Sequence, residues 1–245
     1  MADRYFIRPD YRHRDEPEYA DDVEHDVVWQ PDVYTEAARL AEALDASCIV
    51  DIGCGNGRKL AALHPRFEVV GIDLPGPNLE RARALLPDVD WLEHDVESDQ
   101  PLPVPDAVLS RSVVVCSDVI EHLRQPERLL VKLVSALPVA RAVVLSTPDR
   151  VVTWGPDHVG PPPNPRHVRE WTTGELDALL DDAGFAHRLT TFTRSNDQQT
   201  EKKTILCRLF ADPEAMRLAS LLDSTTAAGR PHPGADPTPG GTPAG

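Results

Sequence analysis

Short apolar runs alternate with segments of helical periodicity through the middle of the chain. The runs that predict strands are residues 48–52, 68–72, 113–116 and 142–146. They are continuous rather than alternating, which is typical of strands buried on both faces of a parallel sheet. Helical spacing occupies residues 58–63, 79–86, 127–137 and 173–182. Strand and helix in alternation predict right-handed crossovers and an α/β, doubly wound, Rossmann-like sheet, which a hairpin of residues 188–194 and 203–210 would close.

A glycine-rich turn follows the first of these strands. The sequence there reads Val50-Asp51-Ile52-Gly53-Cys54-Gly55-Asn56-Gly57, and about twenty residues later Gly71-Ile72-Asp73 ends the second strand. Glycines are required where the backbone turns sharply and a ligand lies against main-chain atoms. A carboxylate at the end of the second strand is where such sheets bind ribose hydroxyls. Together, the turn and Asp73 indicate a nucleoside-containing cofactor.

The spacing of the turn distinguishes two cofactors, NAD and S-adenosylmethionine. A dinucleotide site has the pattern G-x-G-x-x-G with the pyrophosphate on the helix N-terminus, whereas the glycines here are Gly53, Gly55 and Gly57. Asp51, two residues before the first glycine, would repel a pyrophosphate but suits the ammonium of an amino acid. The stretch resembles the first motif of the class I S-adenosylmethionine-dependent methyltransferases.

That resemblance implies a seven-stranded, mostly parallel methyltransferase sheet with a C-terminal antiparallel hairpin. It also implies that Asp73 binds the ribose, that Asp95 binds the adenine amino group, and that the strand leading to Asp118 lies under the methionine end. The cofactor-binding residues expected on this basis are Asp51, Gly53, Cys54, Gly55, Asp73, Leu74, Asp95, Val96 and Cys116.

A second cluster, Asp118-Val119-Ile120-Glu121-His122, follows the fourth strand at the ligand-binding edge of the sheet. If a helix begins there, Asp118, Glu121 and His122 share one face. Two carboxylates and an imidazole suit Mg²⁺ or Mn²⁺. Asp-x-x-Glu is equally a capping box, which would make both acids structural.

This segment resembles the acid-x-x-Glu-His motif of ubiquinone-pathway O-methyltransferases and of small-RNA 2′-O-methyltransferases, although Asp118 replaces their first Glu. In the latter family a further histidine precedes Glu-Trp-Thr, and His167 precedes Glu170-Trp171-Thr172 here. The resemblance implies a metal site of Asp118, Glu121, His122 and His167. The other interpretations are His122 or His167 as a metal-free general base, and a purely structural cluster.

Residues 154–167 contain five prolines together with His158, Asn164, Arg166 and His167. Prolines restrict the backbone, so we predict a rigid, polar wall for a hydroxyl-rich acceptor, with a proline-stiffened surface connection as the alternative.

Residues 1–33 are polar but rich in aromatic side chains, which predicts a cap over the opposite side. Residues 34–224 would form the methyltransferase domain, and residues 225–245, rich in proline and glycine, a disordered tail.

Charge restricts the partners. The chain has 25 Lys and Arg against 40 Asp and Glu, a net charge of −15, and no stretch rich in Lys or Arg. Nucleic acids and membrane surfaces are therefore not expected partners. The first thirty residues carry nine acidic and four basic side chains, so we expect an acidic entrance and a neutral or cationic acceptor.

Two further features concern the compartment. The charged N-terminus and the lack of eighteen consecutive apolar residues predict a cytoplasmic protein, and the four widely spaced cysteines predict reduced thiols.

Taken together, the motifs and the charge lead us to expect methyl transfer from S-adenosylmethionine to a small polar acceptor, a hydroxyl of a sugar or a glycosylated natural product. The alternatives are N- or C-methylation of a secondary metabolite, RNA 2′-O-methylation, and a non-catalytic cofactor-binding module.

Overall fold

The computed structural model describes residues 4–18 and 27–228. Its central feature is one seven-stranded sheet in the order β3-β2-β1-β4-β5-β7-β6. The strands are β1 Cys48–Ile52, β2 Glu68–Asp73, β3 Asp90–Glu93, β4 Ser112–Ser117, β5 Ala142–Pro148, β6 His187–Arg194 and β7 Lys202–Phe210. All neighbouring pairs from β3 to β5 are parallel, and β7 is antiparallel to both β5 and β6. The predicted doubly wound sheet with a closing hairpin is confirmed.

Eight helices accompany the sheet within the described residues. They are α1 Pro31–Ala43, α2 Arg58–Ala61, α3 Pro77–Leu85, α4 Asp106–Leu109, α5 Pro126–Ala136, α6 Arg150–Trp154, α7 Thr173–Ala183 and α8 Pro213–Ala228. Helix α7 begins with a capping box between Thr172 and Glu175 and ends at Gly184, whose φ is 97°. These local signals fix its ends because they satisfy the free N–H groups and permit a left-handed residue.

Strand residues alternate between two apolar cores. Val50 and Ile52 face the core that contains α5 and α7, whereas Ile49 faces the core that contains α1. Both faces are buried, which explains why the strands read as continuous apolar runs. Tyr5 and Tyr11 of the N-terminal segment pack into the first of these cores.

The ends of the fold differ from the predicted boundaries. Helix α1 begins at Pro31, inside the predicted cap of residues 1–33, and α8 continues through Ala228, past the predicted start of the tail at residue 225. Residues 229–245 lie outside the described residues. No helix among the described residues has the length and apolarity needed to cross a bilayer.

Candidate active site

The glycine-rich turn joins β1 to α2 in backbone conformations that favour glycine. The φ angles of Gly53, Gly55 and Gly57 are 76°, 58° and 75°. A Cβ atom on Gly53 would lie 2.3 Å from Val119 Cγ2, whereas one on Gly55 would have no atom within 4 Å. Gly53 is therefore required by packing against the loop after β4. The open space at Gly55 leaves its backbone available for close approach of a ligand.

Asp73 ties this turn to the end of β2. Its Oδ2 accepts a hydrogen bond from the Gly55 N–H at 2.6 Å, and its Oδ1 accepts one from the Leu74 N–H at 2.7 Å. Hydrogen bonds to an ionised carboxylate are stronger than those between neutral groups. The carboxylate is thus held at the carboxyl edge of the sheet, beside the backbone of the turn.

Asp51 lies beneath the turn and is completely buried. Its Oδ2 accepts a hydrogen bond from the Tyr34 hydroxyl at 2.8 Å, and its Oδ1 has no partner among the described residues. Burial raises the pKa of Asp51 to about 7, although Lys59 and the Tyr34 hydroxyl act in the opposite direction. An unpaired carboxylate oxygen at this depth fits the ammonium group of an amino-acid cofactor.

A cavity of about 280 Å³ opens above the turn. The predicted residues on its wall are Gly53, Gly55, Asp73, Leu74, Asp95, Val96, Asp118 and His122. Asp51, Cys54 and Cys116 do not line it; they are buried beneath it, and burial raises the pKa of both thiols well above its usual value. The wall of this cavity thus contains six of the nine residues predicted to bind the cofactor and one of the two candidate catalytic histidines.

Several wall residues were not singled out from the sequence as cofactor or catalytic residues. They are Pro17, Glu18, Asn78, His94, Glu97, Val119, Leu123 and Arg166. Two of them could have been identified from the sequence. Asn78 lies in the first turn of α3, the helix that follows β2, and His94 directly precedes Asp95. Pro17 and Glu18 reach the cavity through tertiary contacts, since the Glu18 N–H donates to the Pro165 carbonyl.

No α-helix begins at Asp118, so the condition for a face shared by Asp118, Glu121 and His122 is not met. Asp118 has a φ of 55°, and only a single 3₁₀ turn, Ile120–His122, follows it. The residue preceding that turn is Val119, with no side-chain cap, so the capping-box interpretation is also wrong. Asp118 instead accepts a hydrogen bond from the Gln30 side-chain amide at 2.8 Å. A left-handed residue at Asp118 breaks the helical spacing that would have placed it beside Glu121 and His122.

Glu121, His122 and His167 form the group that could hold a metal ion. One potential ligand atom from each residue lies within 4.8 Å of the others, and Asp118 is not part of this group. Glu121 is completely buried, and its Oε2 accepts a hydrogen bond from the Thr147 hydroxyl at 2.9 Å. Burial, reinforced by Asp118, raises the pKa of Glu121 well above its usual value. The donor set is therefore one carboxylate and two imidazoles, without the second carboxylate, Asp118, that the resemblance had implied.

Backbone contacts bring the N-terminal segment against the proline-rich loop. The Arg12 N–H donates to the Val159 carbonyl and the Arg14 N–H donates to the Val168 carbonyl, both at 2.8 Å. The Arg14 guanidinium also donates to the Pro162 carbonyl. These bonds form one wall from two segments, and Pro17, Glu18 and Arg166 lie at the cavity itself.

Comparison with known proteins agrees with this geometry. A family model described as a methyltransferase domain matches residues 28–189. A probable S-adenosylmethionine-dependent methyltransferase of Mycobacterium tuberculosis is 34% identical over 163 residues, which are 66% of this chain and 54% of that protein. A trans-aconitate 2-methyltransferase of an Azoarcus species is 32% identical over 91 residues, 33% of this chain and 36% of that enzyme. The chain thus spans about half the length of the mycobacterial relative.

One solved structure shows the same fold. The N-terminal domain of EvdMO1 with bound SAH has a TM-score of 0.52 and 23% identity, covering 75% of this chain and 83% of that domain. The family match, the strand order and the glycine-lined cavity define a class I methyltransferase domain. The chain belongs to the S-adenosylmethionine-dependent methyltransferases.

Proposed function

We propose that the protein transfers a methyl group from S-adenosylmethionine to a hydroxyl of a small polar acceptor, such as a sugar or a glycosylated natural product. The observation that carries the proposal is the placement of His122. Its ring lies on the wall of the cavity that Gly53, Gly55 and Asp73 also line. A base at this place is what the methylation of an alcohol requires.

The hydrogen bond of His122 indicates which of its two ring nitrogens carries the proton. His122 Nδ1 lies 3.0 Å from the Arg166 carbonyl oxygen, which can only accept, so Nδ1 carries the proton. Nε2 of the neutral ring is then the basic nitrogen. In the proposed reaction the acceptor oxygen forms a bond to the methyl carbon while the sulfur–methyl bond breaks. The electron pair of that bond stays on sulfur, and the hydroxyl proton moves to His122 Nε2.

The cofactor residues fit the same reaction. Asp73 would accept the ribose hydroxyls, Asp95 and Val96 would hold the adenine, and Asp51 would face the ammonium group through the turn. With the cofactor held in this way, Val119 and His122 would line the part of the cavity left for the acceptor. Positioning of the acceptor against a good leaving group then supplies much of the rate.

A second arrangement uses a divalent cation. Glu121 Oε1 is buried without a hydrogen-bond partner among the described residues, and the two imidazoles lie close to it. These residues would hold Mn²⁺ more readily than Mg²⁺, because imidazole nitrogen is a softer ligand than oxygen. A bound cation would acidify the acceptor hydroxyl. Glu121 would bind the cation in its ionised form, which burial disfavours because it raises the pKa of this carboxyl.

The acceptor is proposed to be neutral or cationic and rich in hydroxyl groups. Glu18, Glu97 and Asp118 line the cavity in addition to the two carboxylates assigned to the cofactor, whereas Arg166 is the one arginine among the lining residues. An anionic acceptor would meet this excess of negative charge. The same argument disfavours RNA. We propose that residues 4–18 act as the cap of this site, and that the reaction belongs to natural product biosynthesis in the reducing cytoplasm.

The test is methylation of cell-extract metabolites with isotopically labelled S-adenosylmethionine, read by mass spectrometry. His122→Ala should abolish labelling while affinity for S-adenosylhomocysteine stays within about twofold. His64→Ala, which changes a histidine beside Asp88 away from the cavity, is the matched control and should label normally. Normal labelling by His122→Ala would refute the assignment of the base. Label on nitrogen or carbon, or on a polyanion, would refute the acceptor class.

EDTA distinguishes the two arrangements. Labelling that survives exhaustive EDTA supports His122 acting without a metal. Labelling that is lost and then restored by Mn²⁺ supports the cation held by Glu121, His122 and His167.

A further inference from the structure

We propose that Glu170 is a positioning residue for this site, holding His167 in one tautomer against the ring of His122. The inference rests on the proposed function for its catalytic meaning. It concerns a residue that does not line the cavity.

The Glu170 side chain is the hub of a buried set of hydrogen bonds. It is 1% exposed, and its Oε1 lies 2.6 Å from His167 Nδ1. Its Oε2 accepts a hydrogen bond from the Trp154 indole N–H, also at 2.6 Å. The Glu170 backbone is fixed as well, since its N–H donates to the Tyr11 hydroxyl and its carbonyl accepts from Arg150. The carboxylate therefore has little freedom to turn away from His167.

The remaining nitrogen of His167 faces an amide donor. Asn164 Nδ2 lies 2.9 Å from His167 Nε2, and Asn164 Oδ1 accepts the Arg166 N–H at 3.1 Å. That second bond assigns the amide, so its NH₂ group points at Nε2. His167 accordingly donates from Nδ1 to Glu170 and accepts at Nε2. Both contacts favour the same tautomer.

The ordered ring of His167 packs edge-to-face on His122. The two ring centroids are 4.8 Å apart, with an angle of 89° between the planes. His122 is held on its other side by the Arg166 carbonyl. Rotation of His167 would remove a contact that helps to fix the orientation of the base. If a cation binds instead, the same tautomer presents His167 Nε2 as the ligand nitrogen once Asn164 withdraws, as carboxylate–histidine pairs do at metal sites.

The chemistry of the Glu170–His167 pair argues against a purely structural role for the Glu170 carboxylate. The donors that reach the two oxygens of Glu170 are an indole N–H and an imidazole N–H, both neutral in the assigned tautomer. Burying a carboxylate among neutral donors costs more than burying an amide or an apolar side chain of the same size. Glutamine has one acceptor oxygen where glutamate has two, so it could replace these two hydrogen bonds only in part. Glu170 offers an acceptor oxygen to each of these donors, and the one facing Nδ1 holds the imidazole in one fixed orientation.

The test compares Glu170→Leu, which keeps volume but removes the acceptor, with Glu170→Gln, which retains an acceptor oxygen. Protein labelled with ¹⁵N-histidine reports the tautomer of His167 through its two-bond ¹H–¹⁵N couplings at a fixed pH. Wild type should show the proton on Nδ1. Glu170→Leu should show a mixture or the proton on Nε2, and Glu170→Gln should keep the wild-type pattern. Glu93→Gln, in an exposed ion pair with Arg83, is the matched control.

Turnover is read on the same proteins with the acceptor found by isotopic labelling. Glu170→Leu should lower kcat by roughly 10- to 100-fold with KM little changed, and Glu170→Gln should recover most of that loss. A wild-type proton on Nε2, or a Glu170→Leu protein with an unchanged tautomer, would overturn the inference. If Glu170→Leu does not fold, the wild-type tautomer and the kcat of Glu170→Gln still decide it. If wild type methylates no acceptor hydroxyl, the proposed function fails, while the tautomer result stands separately.

Discussion

Cofactor affinity should depend on pH through Asp51. The side chain is completely buried, and burial raises its pKa to about 7, so the carboxyl is half protonated near neutrality. Only the ionised form can pair with the ammonium of S-adenosylhomocysteine. Binding should therefore release a proton below pH 7 and should strengthen as the pH rises through 7.

The size of the effect follows from that pKa. If Asp51 is fully ionised in the complex, binding must remove its proton. At pH 6 about 90% of the free protein carries that proton, whereas at pH 8 very little of it does. Affinity should then rise by about tenfold between pH 6 and pH 8, or about 1.4 kcal/mol.

The free protein should show the opposite trend. The pKa of Asp51 rises from 3.8 to about 7 on folding. Its contribution to stability is therefore fully present below pH 4 and is lost as the pH rises to 7. The rise of this pKa from 3.8 to about 7 corresponds to about 4 kcal/mol in the free energy of unfolding.

Calorimetry measures both affinity and proton release, using two buffers with different enthalpies of ionisation. Asp51→Asn should bind more weakly and lose the tenfold rise with pH. Tyr34→Phe removes the hydroxyl that stabilises the ionised carboxylate at 2.8 Å, so it should move the midpoint to higher pH. An affinity that is flat from pH 6 to pH 8, or an Asp51→Asn protein that keeps the wild-type rise, would refute the role given to Asp51.

Two further predictions concern the glycine-rich turn. Gly53→Ala should lower the free energy of unfolding in urea by about 1–3 kcal/mol, because its Cβ would lie 2.3 Å from Val119 and φ is 76°; Gly174→Ala, with no atom within 4 Å, is the control and should not destabilise. Asp73→Ala should weaken S-adenosylhomocysteine binding by roughly 100-fold in calorimetry, since about 3 kcal/mol of charge-assisted hydrogen bonding is lost. A change below threefold would contradict the assignment of Asp73.

The cofactor half of the site was predictable because it is encoded locally. The turn, β1 and Asp73 lie within 26 consecutive residues, and strand ends set their relative positions. Buried parallel strands are also recognisable as continuous apolar runs. For that reason β1 was predicted with its observed bounds and β4 within one residue at each end. Glycine spacing then placed the cavity without knowledge of any long-range contact.

The reacting end was predictable only in part. The resemblance grouped Glu121, His122 and His167, which the structure also brings together, but it included Asp118, whose place in the group depended on a helix beginning there. What redirects Asp118 is Gln30, 88 residues away in the chain, whose amide donates to the Asp118 carboxylate. A local pattern could not reveal that contact. A capping box and a metal motif share the same spacing, and the observed 3₁₀ turn forms neither the box nor the four-residue metal site.

Glu170 illustrates a different limit. Its spacing from His167 was visible, but the meaning of that spacing depends on Trp154 and Asn164, which reach the pair from α6 and from the proline-rich loop. The wall proposed for the acceptor likewise depends on the N-terminal segment, since the Glu18 N–H donates to the Pro165 carbonyl. Thus the glycine-rich turn and Asp73 come from neighbouring segments of the sequence, whereas the wall proposed for the acceptor comes from distant ones. If the proposed function holds, we therefore expect substitutions in residues 4–18 or in the loop to alter acceptor choice while leaving the backbone of the glycine-rich turn intact.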